Sequence, residues 1–185
     1  MSRGLVTFPP TRIDLAISKS CARAATPGRE HSLQVMTWLA DEKILLGVVG
    51  LFWLNAYLRP HREAVRHEPV ACCSAWRLPA SCPNVFKYVV NRKRPDRSLV
   101  HGRRHGIPRS GDAWDSFPSG HALHLGAIAG TLARLSPKRF RPLLWAGILG
   151  LASTRIMLLA HYTSDVAAGL VLGAGLGKAV RKLTE

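Results

Sequence analysis

The chain has 185 residues, with 26 Lys and Arg against 11 Asp and Glu, a formal charge of +15. That length allows one domain around one core, and so basic a balance points to nucleic acid, an anionic membrane surface or phosphorylated substrates. No helix-turn-helix, zinc-finger or RNP-type pattern occurs, and the cations sit between apolar runs, which sets nucleic acid aside and favours a membrane.

Mean hydropathy is only +0.05, because polar termini and an Arg-rich middle dilute the apolar segments. Arg3, Pro9, Pro10, Arg12 and Asp14 stand where a signal peptide would carry its apolar stretch, so anchoring by the chain's own helices is expected. Cys21, Cys72, Cys73 and Cys82 show no metal-type spacing and read as small apolar residues.

Residues 1–43 read as a tail followed by amphipathic helices at an interface. Thr11 to Ala25 sets Ile13, Leu15, Ala16, Ile17 and Cys21 against Arg12, Lys19 and Arg23. Pro27-Gly28 breaks it, and His31 to Ala40 is again one-sided. Residues 44–185 read as one membrane-embedded domain. Ile44 to Leu58 is a strong apolar run, ended by Arg59-Pro60, and short of the roughly 20 residues a span needs. Val70 to Val90 is a weaker segment carrying Arg77, Pro79 and Pro83. Asn91 to Phe117 reads as a long Arg-rich loop, a lip over a site. Ser119 to Leu135 is apolar, Ser136 to Arg141 a basic turn, and Pro142 to Ala160 the best spanning candidate. Ser164 reads as the N-cap of a last helix, Val166 to Val180, in which Gly169, Gly173 and Gly177 recur every fourth residue and would let another helix approach closely. The fold class expected is all-α, a helical membrane bundle of four to five spans with amphipathic N-terminal helices.

The polar residues that interrupt this pattern form three groups: Lys87 with Arg94-Pro95, then Ser119-Gly120-His121, then Arg155 with His161 and Asp165. Three cations can hold the charge of a phosphoryl group. Lys87 and Arg94 are seven apart and share a face if one helix carries both, and Arg155 closes the cradle from another helix. Ser119 and Gly120 open an apolar helix, whose free N–H groups make a phosphate seat. His161 and Asp165 are four apart, so the carboxylate can reach the imidazole, fix its tautomer and leave the other nitrogen to attack. Arg92, Lys93, Arg97, Arg103, Arg104 and Arg109 read as solvated or interfacial cations. His101 with His105, or His121 with His124, has metal-like spacing, the weaker reading because metal-dependent phosphatases need larger ligand clusters.

From Lys87 to Asp165 the three groups, in residue type, order and spacing, resemble the type 2 phosphatidic-acid phosphatase superfamily, which also holds vanadium haloperoxidases and bacterial acid phosphatases. The resemblance implies that His161 is the nucleophile, forming a phosphohistidine with Asp165 as its partner. It implies that His121 is the general acid, that Lys87, Arg94, Ser119, Gly120 and Arg155 bind phosphate, and that no metal or other cofactor is needed. The substrate implied is a phosphorylated lipid or polyprenyl diphosphate. The three groups fall at one membrane face, and Lys138, Arg139, Arg141, Lys178, Arg181 and Lys182 at the other. The positive-inside rule then faces the site to the periplasm or exterior of a bacterial inner membrane. Two alternatives stay open, a vanadate-dependent haloperoxidase-like enzyme and a non-catalytic basic lipid-binding protein.

Overall fold

The computed structural model describes residues 5–38, 47, 51, 89–99 and 113–184. All but Gly47 and Leu51 of the run Ile44 to Leu58, most of the segment Val70 to Val90, and residues 100–112 of the Arg-rich loop lie outside the described residues, as does Lys87.

The described elements are β1 (Val6–Thr7), α1 (Arg12–Ala24), α2 (Pro27–Trp38), β2 (Val90–Asn91), α3 (Pro95–Leu99), α4 (Gly120–Leu135), a 3₁₀ turn (Lys138–Phe140), α5 (Arg141–Met157) and α6 (Thr163–Thr184). Helices therefore dominate, as expected. The exception is a parallel pairing of β1 with β2, Val6 against Val90 and Thr7 against Asn91. That pairing corrects one expectation. Residues 90–91 are extended, so no single helix carries Lys87 and Arg94, and their spacing of seven does not define a helix face.

Thr11 caps α1 with a full capping box. Its hydroxyl accepts the Asp14 amide at 3.1 Å, and its own amide reaches Asp14 Oδ2 at 3.1 Å. Pro27 does not merely break the chain: it is the first residue of α2, where its missing N–H costs nothing. Thr37 on α2 meets Thr154 on α5 through their hydroxyls, 2.9 Å apart and buried.

The core lies between α4, α5 and α6. Ala122, Leu125 and Ala129 from α4, Ile148 and Ala152 from α5, and Val166 from α6 are its buried members. Helices α4 and α6 run parallel, because the contacts advance together along both: Gly169 faces Ser119, Gly173 faces Leu123, and Gly177 faces Ala127. Gly126 and Gly130 of α4 answer against Leu170 and Ala174. The glycine spacing expected to admit a close neighbour does so, and the neighbour is α4.

The up-and-down order of α4, α5 and α6 brings the start of α4, the end of α5 and the start of α6 to one end. The opposite end carries exposed Lys138, Arg139, Lys178 and Lys182. Leu143, Leu149 and Val171 are exposed apolar residues on the flanks. Among the described residues no helix is long and apolar enough to cross a membrane. At about 1.5 Å per residue, α4 with 16 and α5 with 17 residues fall short of a core about 30 Å thick. α6 has 22 residues but ends in cations.

Candidate active site

Arg155 sits in the last turn of α5, and its carbonyl accepts the amides of Ala160 at 3.1 Å and His161 at 3.2 Å. The turn between them closes tightly because Leu159 is left-handed, φ 56°. A side-chain-bearing residue pays roughly 1–2 kcal/mol for that conformation. Leu159 is fully buried, and its carbonyl accepts the Asp96 amide at 3.0 Å, so packing and that bond hold the turn. Arg155 and His161 thereby project into one place.

The segment carrying Arg94 is fixed to the one preceding α4. Arg92 and Arg94 donate their amides to Trp114 and Ala113 carbonyls, each at 3.0 Å, and Ser116 returns its amide to the Arg92 carbonyl at 3.1 Å. The Ser119 amide donates to the Asp165 carbonyl at 3.2 Å, joining the starts of α4 and α6. Ser119 is buried, and its hydroxyl lies 3.5 Å from the Ala122 amide, in the position of a helix cap. The Phe117–Pro118 peptide bond is cis.

Arg94, Arg155 and His121 are close enough to His161 for their charges to bear on it. Burial above all, then the charges of Arg94 and Arg155, push the His161 pKa well below its usual value of 6.5, so the ring is neutral. Its Nδ1 lies 2.7 Å from the Ser116 carbonyl. A carbonyl only accepts, so Nδ1 carries the proton and Nε2 keeps its lone pair. Arg155 is 1% exposed, and its Nε and Nη1 have no hydrogen-bond partner among the described residues. A buried guanidinium with two uncommitted donors, beside a second arginine and a neutral imidazole, can chemically hold an anion next to a ring nitrogen that keeps its lone pair.

Residues 68–185, well over half the chain, match the PAP2 superfamily. The chain belongs to that superfamily. A lipid A 1-phosphatase of Rhizobium johnstonii is 44% identical over 92 residues, which is 49% of this chain and 37% of that protein. A decaprenylphosphoryl-5-phosphoribose phosphatase of Mycobacterium tuberculosis is 34% identical over 96 residues, 52% of this chain and 50% of that protein. The match thus spans half or less of each curated relative. Two crystal structures share the fold. Aquifex aeolicus LpxE has a TM-score of 0.71 at 20% identity, covering 96% of this chain and 99% of its own. The transmembrane PAP2 type phosphatidylglycerolphosphate phosphatase of Bacillus subtilis has a TM-score of 0.66 at 22% identity, covering 92% of this chain and 83% of its own.

The fold gathers the candidate residues Arg94, Ser119, Gly120, His121, Arg155, His161 and Asp165 at one end of the bundle, with Lys87 outside the described residues. Asp165 does not bond the imidazole. One carboxylate oxygen accepts from the Ser116 hydroxyl at 2.6 Å and the Tyr162 amide at 2.9 Å, and the other from Arg92. The serine intervenes because its segment, just ahead of α4, bonds Asp165 through its hydroxyl and His161 through its carbonyl. Ser164 is not a helix cap either. It is the second residue of α6, and its amide and hydroxyl donate to Asp14 at 2.9 and 2.7 Å.

The largest correction concerns Arg92, which is no solvated cation. It is buried and paired with Asp14 at 2.7 Å and with Asp165. Its guanidinium lies 4.8 Å from the Tyr162 ring centroid. Burial alone would raise the Asp14 pKa, but the Ser164 hydroxyl and amide, together with Thr11, hold it down at about 2, so Asp14 is ionised at neutral pH. Thr11-x-x-Asp14 is visible in the sequence as a capping box. Nothing local signals that its carboxylate meets residue 92. Among the described residues no group of three or more His, Cys, Asp and Glu is placed to hold a metal, and His101 and His105 lie outside them.

The depressed His161 pKa has a consequence for folding. The unfolded chain takes up a proton near pH 6.5 that the folded one refuses, so stability is full above that value and falls as pH drops below it. Denaturant unfolding of the detergent-solubilised protein from pH 8 to 5 is expected to show this loss, with a slope of up to about 1.4 kcal/mol per pH unit from this one group. His161→Gln is expected to flatten it.

Proposed function

We propose that this protein is a lipid phosphatase that hydrolyses a phosphomonoester or pyrophosphate head group without a metal, through a phosphohistidine at His161. The observation that carries the reading is the buried Arg155, whose Nε and Nη1 have no partner among the described residues, beside Arg94 and a neutral His161 with Nε2 open. Arg155, Arg94 and Lys87 hold the non-bridging oxygens, and the start of α4 at Ser119 and Gly120 offers N–H donors. His161 Nε2 attacks phosphorus in line with the leaving oxygen, which takes its proton from His121. Water then attacks the phosphohistidine, with His121 accepting its proton. Asp165 acts on His161 through Ser116.

The substrate we assign is a membrane lipid carrying a terminal phosphate or diphosphate. The names of the relatives, lipid A 1-phosphatase and decaprenylphosphoryl-5-phosphoribose phosphatase, support that class. The working environment is a bacterial inner membrane, crossed by four to five spans, with the amphipathic N-terminal helices at its interface and the site facing the periplasm or exterior. Exposed Leu143, Leu149 and Val171 on the flanks, and the cations at the opposite end, support that placement.

The test is phosphate release in EDTA from a panel of lipid A, phosphatidic acid, phosphatidylglycerol phosphate and undecaprenyl pyrophosphate, with rapid quenching to trap the enzyme. Release that is indifferent to EDTA, with an acid-labile and alkali-stable phosphoenzyme, is expected. Release that EDTA abolishes and a divalent cation restores would overturn the mechanism.

A further inference from the structure

The chemistry above leaves Asp14 and Arg92 without a task, although they are 1% and 4% exposed. A buried charge is expensive unless paired, and these two are: both ends of the Arg92 fork are engaged, and only its Nε has no partner among the described residues. Arg92 Nη2 donates to Asp14 Oδ2 at 2.7 Å, and Nη1 donates to Asp165 Oδ1 and to the Ser164 hydroxyl at 2.7 Å. The other Asp165 oxygen takes the Ser116 hydroxyl at 2.6 Å. Ser116 is then fixed at three points: its amide on the Arg92 carbonyl at 3.1 Å, its hydroxyl on Asp165, and its carbonyl against His161 Nδ1 at 2.7 Å. An unbroken chain of bonds runs from α1 to the imidazole. The direction of the Ser116 carbonyl sets the ring's tilt, and so the line along which Nε2 points.

We propose that Asp14 and Arg92 are positioning residues for the reaction, and that docking of α1 through Asp14 onto Arg92 aims His161 at phosphorus. The proposal rests on the phosphohistidine reading. Neither residue touches the substrate in that reading, so each should act on the chemical step and not on binding. Asp14→Asn shows why the charge matters. The carboxylate accepts from Arg92, from the Ser164 amide and hydroxyl, and from the Thr11 amide. Asparagine offers one oxygen to these donors and turns an NH₂ towards the rest. Arg92 or Ser164 must let go, and the chain slackens at its first link. A misplacement on the order of 1 Å at the reacting atom costs about a hundredfold.

The experiment is single-turnover and steady-state kinetics of the full chain in mixed micelles with radiolabelled lipid A, for wild type, Asp14→Asn, Arg92→Lys and the double variant. Rates are counted per folded enzyme, by size-exclusion profile and melting curve. Phosphoenzyme formation and kcat are expected to fall about ten- to a hundredfold in each single variant, with KM within about twofold. The double variant should be no worse than the poorer single one, because both cut one chain. Arg92→Lys keeps the charge, so it serves if Asp14→Asn folds poorly. Wild-type rates per folded enzyme in both single variants overturn the proposal, as does a loss confined to KM or to the folded fraction. A wild type that turns over without an acid-labile phosphoenzyme overturns the His161 reading instead, and removes the basis for this proposal.

Discussion

In His161→Ala, phosphate release is expected to fall by about four orders of magnitude or more, and in Arg155→Ala by about three. The first loss follows from the ring's protonation. His161 is neutral, and its Nδ1 proton is committed to Ser116, so Nε2 is the one lone pair the ring presents. Alanine removes it, and water at neutral pH is a far poorer nucleophile. The second loss follows from the cost already met in folding Arg155. Its charge is buried at the end of α5, beside Arg94, with two donors uncommitted among the described residues. A donor set held in place before the reaction needs no reorganisation as charge develops on phosphorus. Arg155→Lys keeps a charge but concentrates it at one point, so an intermediate loss of about ten- to a hundredfold is expected. Both residues serve one step in the proposed mechanism, so the double variant is expected to be no slower than His161→Ala alone. The measurement is kcat/KM for each variant, with melting curves to confirm folding. An Arg155→Ala enzyme within tenfold of wild type would remove Arg155 from the phosphate site.

That the candidate residues would meet at one end of the bundle was legible because spacing along a helix is local. Arg155 and His161 had to lie near the end of one apolar helix, and Ser119, Gly120 and His121 at the start of another, whatever the rest of the chain did. The links between them were not legible. The pairing of β1 with β2 turns residues 90–91 from helix to extended chain, and its partner strand is Val6–Thr7, more than eighty positions away. The same distance hid Arg92: six cations in one polar stretch look alike until Asp14 and Asp165 select one of them. Helical spacing and the family resemblance both pair Asp165 with the imidazole, and neither can foresee a serine from a third segment coming between them. The glycines of the last helix told of a close neighbour, but not which helix it was.

Those glycines carry the other large expectation, a loss of fold in Gly173→Ala. A methyl group built on Gly173 would overlap the Leu123 carbonyl oxygen, with the Leu123 carbon at 2.8 Å and the Ala127 nitrogen at 2.9 Å. All three are backbone atoms of α4, so no side chain can swing away. Relief requires the two helices to part, and the contacts on either side resist it: Gly169 would bring its methyl to 2.6 Å from the Ser119 carbonyl, and Gly177 to 2.7 Å from that of Ala127. Parting the helices would also stretch the bond from the Ser119 amide to the Asp165 carbonyl, which joins the start of α4 to the helix of Asp165. Gly173→Ala is therefore expected to cost about 3 kcal/mol or more and to lower activity in whatever fraction still folds. Gly175, two residues on in the same helix, provides the comparison. Nothing lies within 4 Å of a methyl group there, so Gly175→Ala is expected to gain about 0.5–1 kcal/mol through helix propensity alone. Thermal unfolding of the two variants in one detergent should therefore separate in opposite directions from wild type. Equal melting would mean that α4 and α6 can slide apart without loss, and that the close approach of these helices does not clamp the site.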